Sequence, residues 1–132
     1  MNINWYPGHM LKTKREITED IKLIDVVIEI LDARAPLASQ NPDIAKIIGN
    51  KKHIILLNKS DLAEEFWNDK WIEYFKNNNA TAILVNSNLG KGIEIVIKQI
   101  KKDTEEEVIK AKGKGIAEKR IRAIVLRNTE CG

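Results

Sequence analysis

The chain alternates between stretches with a three-to-four-residue hydrophobic rhythm and short, nearly unbroken apolar runs. Residues 9–24 place Met10, Ile17, Ile21 and Ile24 on one stripe, with Lys12, Arg15, Glu16, Glu19 and Asp20 off it. That spacing predicts an amphipathic helix. Residues 25–32 (DVVIEILD) are β-branched and nearly all apolar, as expected of a strand buried on both faces. Asn41-Pro42-Asp43 offers an N-cap side chain, a proline at the first helical position and an acid in the first turn. It predicts a helix running to a C-cap at Gly49. Residues 53–57 and 80–85 predict a second and a third strand. Between them a helix starting near Asn68 buries some of Trp71, Ile72, Tyr74 and Phe75. Ile93, Val96, Ile97 and Ile100 open a long final helix that turns polar over 101–107 and ends at Gly113-Lys114-Gly115. Residues 121–126 (IRAIVL) predict a fourth strand.

The predicted order is α-β-α-β-α-β-α-β. Alternation of this kind implies right-handed crossovers and an α/β fold, a parallel sheet with helices on both faces. Ligands of such sheets sit beyond the carboxyl ends of the strands. Chemistry is therefore expected in the loops after Leu31, Leu57, Val85 and Leu126. With 132 residues the chain matches one domain, 1–132, and 43% apolar content supplies a core. The single cysteine, Cys131, excludes an internal disulfide framework. No apolar run exceeds four residues, which leaves nothing to span a membrane. The N-terminus lacks the basic start and apolar stretch of a signal peptide, so a soluble, cytoplasmic protein is expected.

Net charge is only +3, but it is unevenly placed. Residues 1–90 carry 11 basic and 12 acidic side chains, whereas residues 91–132 carry 11 and 7. The basic C-terminal third reads either as a solvated helical face or as a surface facing the phosphates of RNA.

The loop after the second strand is more specific. Asn58-Lys59-Ser60-Asp61 is an NKxD sequence at the carboxyl end of a strand. A carboxylate at Asp61 can accept two hydrogen bonds, from guanine N1–H and from its 2-amino group, a donor pair that adenine lacks. Bidentate contacts of this type discriminate by roughly 1–3 kcal/mol in base readout. Asn58 can bond the other edge of the base, and the Lys59 stem can lie against the ring. After the third strand, Asn86-Ser87-Asn88 precedes Leu89-Gly90-Lys91-Gly92, and the Ser87 amide could meet the guanine O6. Neither Gly90-Lys91-Gly92 nor Gly113-Lys114-Gly115 matches the phosphate-loop pattern G-x-x-x-x-G-K-[ST].

Only 57 residues precede Asn58, and they hold no phosphate loop. Trp5-Tyr6-Pro7-Gly8-His9-Met10, Asp32-Ala33-Arg34-Ala35-Pro36-Leu37 with Asn41-Pro42, and Asn58-Lys59-Ser60-Asp61 follow one another in an order that resembles circularly permuted GTPases of the YlqF/RbgA type. The resemblance covers residues 3 to about 126. It implies a circularly permuted P-loop GTPase fold, GTP/GDP binding, and a role in assembly of the large ribosomal subunit, with ribosomal RNA and proteins as partners. It assigns base specificity to Asn58, Lys59 and Asp61, and the second base loop to Asn86, Ser87 and Asn88. His9 matches a histidine that assists the attacking water in the family; a helix-entry histidine after a Pro-Gly turn is the alternative. Asp32 and Arg34 either brace neighbouring loops or touch nucleotide.

In the family the strand resembling 121–126 runs into a GxPNVGKS phosphate loop, whereas here it runs into Arg127-Asn128-Thr129-Glu130-Cys131-Gly132. The sequence therefore reads as a fold truncated before the phosphate loop, with Mg2+ expected only together with that loop. Phosphoryl transfer depends on those groups, so no hydrolysis above a buffer blank is expected of this chain. A nucleotide-independent RNA- or ribosome-binding module, or a fragment without function, are the rival readings. Loss of the neighbours of strand 121–126 would leave an apolar edge, and self-association through it is expected.

Overall fold

A computed structural model describes residues 2–9, 18–19, 21–39, 46–49, 51–59, 61, 63–85, 89–115 and 120–127. Five strands, β1 (Asn2–His9), β2 (Val26–Asp32), β3 (Lys52–Asn58), β4 (Thr81–Leu84) and β5 (Arg120–Arg127), form one sheet in the order β1-β5-β2-β3-β4. Every pairing is parallel. The described helices are α1 (Pro36–Ser39), α2 (Glu65–Asn77), α3 (Leu89–Asp103) and α4 (Glu105–Gly113). Residues 46–48 are also helical, and Gly49 follows them at φ 58°, the left-handed stop expected there. The proposed cap at 41–43 lies outside the described residues, as do 10–17 of the first predicted helix. No helix among the described residues is long and apolar enough to cross a membrane.

Strand periodicity sends alternate residues to opposite faces, and each face is covered. On one face Val26, Ile28, Ile54, Leu56, Ile121 and Ala123 pack against Val96 and Ile100 of α3. On the other, Val27, Ile124 and Leu126 meet Ile21, Ile24 and Ile48, while Leu31, Ile55 and Leu57 meet Phe75 of α2. This is the two-faced α/β sheet that the unbroken apolar strands predict.

Three details differ from the sequence expectation. First, the sheet has a fifth strand. Residues 2–9 pair with β5 from Asn2↔Arg120 to His9↔Arg127, so His9 ends a strand rather than entering a helix. NINWYPGH has no clean alternation and contains Pro7, which lacks a donor N–H; such a segment is admitted at a sheet edge, where one side needs no ladder. Second, β5 has no bare edge. It lies between β1 and β2, and Ile121, Ala123, Ile124 and Leu126 are buried. The bare edge on which the expected self-association through 121–126 rests is thus contradicted, because β1 pairs with β5 on the side away from β2 and both faces are covered. Third, the long final helix breaks in two at Thr104. Its ψ is near 5° and its buried hydroxyl donates to the Ile100 carbonyl at 2.7 Å, the back-bonding that bends helices.

Candidate functional site

All strands being parallel, their carboxyl ends share one edge of the sheet. Asp32 ends β2 opposite Asn58, which ends β3. The Ala33 amide donates to the Asn58 carbonyl at 2.7 Å, so the chain leaving β2 is tied to the start of the NKxD turn. Lys59 then adopts φ 62°, a left-handed conformation that is unfavourable by roughly 1–2 kcal/mol for a residue with a Cβ. The reversal it makes carries the chain out of the sheet, and Asp61 follows as an exposed residue in a tight turn. The sequence order strand–NKxD–helix is therefore realised, with Asn58 and Lys59 half-buried and Asp61 facing solvent.

Asp32 and Arg34 form a clamp beside this turn. The Arg34 guanidinium donates Nε to Asp32 Oδ1 at 3.0 Å and Nη2 to Oδ2 at 2.7 Å, while the Arg34 amide adds a third bond to Oδ1 at 2.9 Å. Lys59 Nζ stands 3.8 Å from Oδ2. Hydrogen bonds from the Arg34 side chain, against a smaller opposing effect of burial, lower the Asp32 carboxyl to about 2 from 3.8. Both oxygens being engaged by Arg34, the arrangement is that of a brace holding the β2 exit against the NKxD turn. Of the two roles that the sequence left open for the pair, these contacts show the bracing one.

The residues expected from the sequence to form a second base loop follow β4 in the chain. The Val85 amide donates to the Leu57 carbonyl at 2.9 Å, continuing the ladder to the mouth of the loop. Asn86, Ser87 and Asn88 lie outside the described residues. Beyond them, α3 begins so close to β4 that a Cβ on Gly92 would stand 2.8 and 3.0 Å from the Val85 methyls. Gly92 thus serves close helix–strand approach. His9 is placed by its backbone, at the carboxyl end of β1, on the edge shared with Asp32 and Asn58. Among the described residues no three His, Cys, Asp or Glu side chains gather closely enough to hold a metal ion.

One buried polar contact escaped sequence reasoning. His53 Nε2 lies 2.6 Å from Glu29 Oε1, with side-chain exposures of 11% and 5%. The approach is short but off-line for an aligned hydrogen bond at Nε2. An acid inside the otherwise apolar 25–32 run was the signal available, since a buried carboxylate demands a partner. The pair lies toward the amino ends of the strands, where His53 also borders a cavity of about 560 Å3; it is not part of the NKxD edge.

No family model matches the chain. Individual proteins do. Ribosome biogenesis GTPase A of Bacillus cereus is 44% identical over 126 residues, 96% of this chain and 43% of that protein. The protein of the same name in Priestia megaterium is 40% identical over 127 residues, 96% of this chain and 44% of its own length. A solved structure of GNP-bound YlqF from T. maritima is 37% identical, with a TM-score of 0.46 over 57% of this chain and 31% of that one. The chain spans less than half the length of the curated relatives it matches. Over nearly all of its own length, the chain belongs to the ribosome biogenesis GTPase A (YlqF/RbgA) family.

Proposed function

We propose that this chain is the guanine-recognising part of a GTPase that acts in ribosome assembly. The observation that carries the reading is the position of Asn58-Lys59-Ser60-Asp61, at the carboxyl end of an interior parallel strand and braced by the Asp32–Arg34 clamp. Strand order also turns back between β2 and β5: β3 and β4 extend the sheet on one side, β5 and β1 on the other. The carboxyl end of such a switch point is where open α/β sheets hold nucleotides. The relatives that match across 96% of the chain are named for ribosome biogenesis.

In this reading the Asp61 carboxylate accepts from guanine N1–H and the 2-amino group. Asn58 bonds the opposite edge of the base, the Lys59 stem covers one ring face, and the Ser87 amide meets O6 between Asn86 and Asn88. His9, at the same sheet edge, orients the attacking water. The 132 residues contain no G-x-x-x-x-G-K-[ST] segment; phosphate and Mg2+ binding would come with such a loop, which supplies backbone N–H groups, a lysine and a hydroxyl ligand. The setting is cytoplasmic and the partner the large ribosomal subunit, its RNA and proteins.

Calorimetry with GDP, ADP and xanthosine diphosphate tests the reading. Weak, guanine-selective binding is expected, since most nucleotide affinity comes from the phosphates. Asp61→Asn puts a donor opposite the 2-position and should move the preference to the 2-oxo group of xanthine. Equal affinity for adenine and guanine nucleotides would refute it.

A further inference from the structure

Helix α2 carries a second surface that base recognition does not use. Asn68 and Phe75 face the core, with Trp71 and Ile72 half-buried beside them. Phe66, Trp67, Lys70, Glu73 and Tyr74 recur at three-to-four-residue spacing on the outward face. There Phe66 is 62% exposed, Trp67 53% and Tyr74 42%. The Phe66 and Trp67 rings meet edge-to-face at 5.4 Å, and Tyr74 stacks edge-on against both Trp71 and Phe75 at 5.6 and 5.3 Å. Tyr74 is thus braced by the inner rings, and Phe66 and Trp67 by each other. Roughly 350 Å2 of aromatic surface faces solvent on a single helix, the scale at which exposed apolar patches are usually functional.

Charge identifies what fits it. Between residues 64 and 77 four carboxylates stand against two cations, Lys70 and Lys76, a local −2 in a chain of net +3. Asp69 and Glu73 are exposed and flank the outward aromatics along the helix. Lys70 places Nζ 5.5 Å from the Phe66 ring centroid, so the ring face already receives a cation within this helix. Aromatic faces bordered by carboxylates suit guanidinium groups, which stack on the ring while their planar forks reach the acids. The same carboxylates repel nucleic-acid phosphates. We infer that the outward face of α2 is a docking surface for an arginine-rich segment of a partner protein. This goes beyond the nucleotide reading and does not depend on it.

The test uses the full chain and a fluorescein-labelled twelve-residue peptide of alternating Arg and Gly, followed by anisotropy. A saturable complex is expected, several-fold tighter than with the matching Lys-Gly peptide, because stacking favours guanidinium. Trp67→Ala combined with Tyr74→Ala should weaken it at least ~10-fold, the scale of losing one or two aromatic anchors, with unchanged far-UV circular dichroism. Glu73→Lys leaves the aromatics in place and should weaken it about as much. Failure to bind, or binding indifferent to these changes, overturns the proposal. So does a 20-nucleotide single-stranded RNA that binds more tightly than the peptide and depends on Trp67. Concentration-dependent dimers abolished by Trp67→Ala would assign the face to a second copy instead and equally overturn it. Loss of guanine selectivity in Asp61→Asn leaves the peptide complex intact, which separates this surface from the base site.

Discussion

Replacing His53 by leucine probes the least expected feature of the fold. His53 and Glu29 lie 2.6 Å apart on adjacent strands, between the apolar rows of β2 and β3. Removing one member of a buried polar pair typically destabilises by about 3–5 kcal/mol, because the other loses a partner away from water. Two structural facts place this pair at the lower end. The contact is off-line for a hydrogen bond, and His53 borders a cavity of about 560 Å3 rather than close-packed side chains on every side. About 3 kcal/mol is therefore expected for His53→Leu. For a chain of this size, that shifts a urea midpoint down by roughly 1.5 M at unchanged slope. Glu29→Leu combined with His53→Leu removes both polar groups and fills the space with hydrocarbon, and should return to within ~1 kcal/mol of the parent. The coupling energy from the four-protein cycle should then be about 2 kcal/mol or more. A His53→Leu chain as stable as the parent, or a coupling below ~0.5 kcal/mol, would show that the pair does not hold the strands together.

The Asp32 carboxyl is held at about 2, below its ordinary 3.8. A depressed folded-state value means that the clamp stabilises the fold above pH ~4 and is lost as pH falls from there through 2. Arg34 is half exposed, so solvent screening keeps the contribution small. Arg34→Ala should move the Asp32 titration, followed by NMR, back toward 3.8, and an unmoved titration would refute the clamp. Gly92→Ala should destabilise by about 1 kcal/mol, overpacking against Val85 outweighing the helix gain of alanine. Val85→Ala in the same chain should relieve the clash, and thermal unfolding that shows no such rescue would dismiss it.

The sequence by itself determined the layered α/β architecture, because DVVIEILD, HIILL and IRAIVL are apolar at consecutive positions, and only a sheet covered on both faces buries them so. It also placed the NKxD turn: Asn58-Lys59-Ser60-Asp61 follows a buried strand directly, so its location needs no long-range information. The tertiary structure alone decided what depends on distant partners. Residues 2–9 carry no strand period of their own, and become β1 only because β5 offers an unpaired ladder 118 positions along the register, at Asn2↔Arg120. The same pairing makes 121–126 an interior strand, where the sequence suggests a bare edge. Asp32 and Arg34 are near neighbours in the chain, yet only the turn geometry shows the guanidinium closing on both carboxylate oxygens. Glu29 and His53 are 24 residues apart, and parallel register, with Val27 opposite His53 and Ile55 opposite Glu29, makes them diagonal neighbours on one face. Local pattern fixes which residues are buried, whereas long-range pairing chooses the neighbours with which each buried polar group must be satisfied.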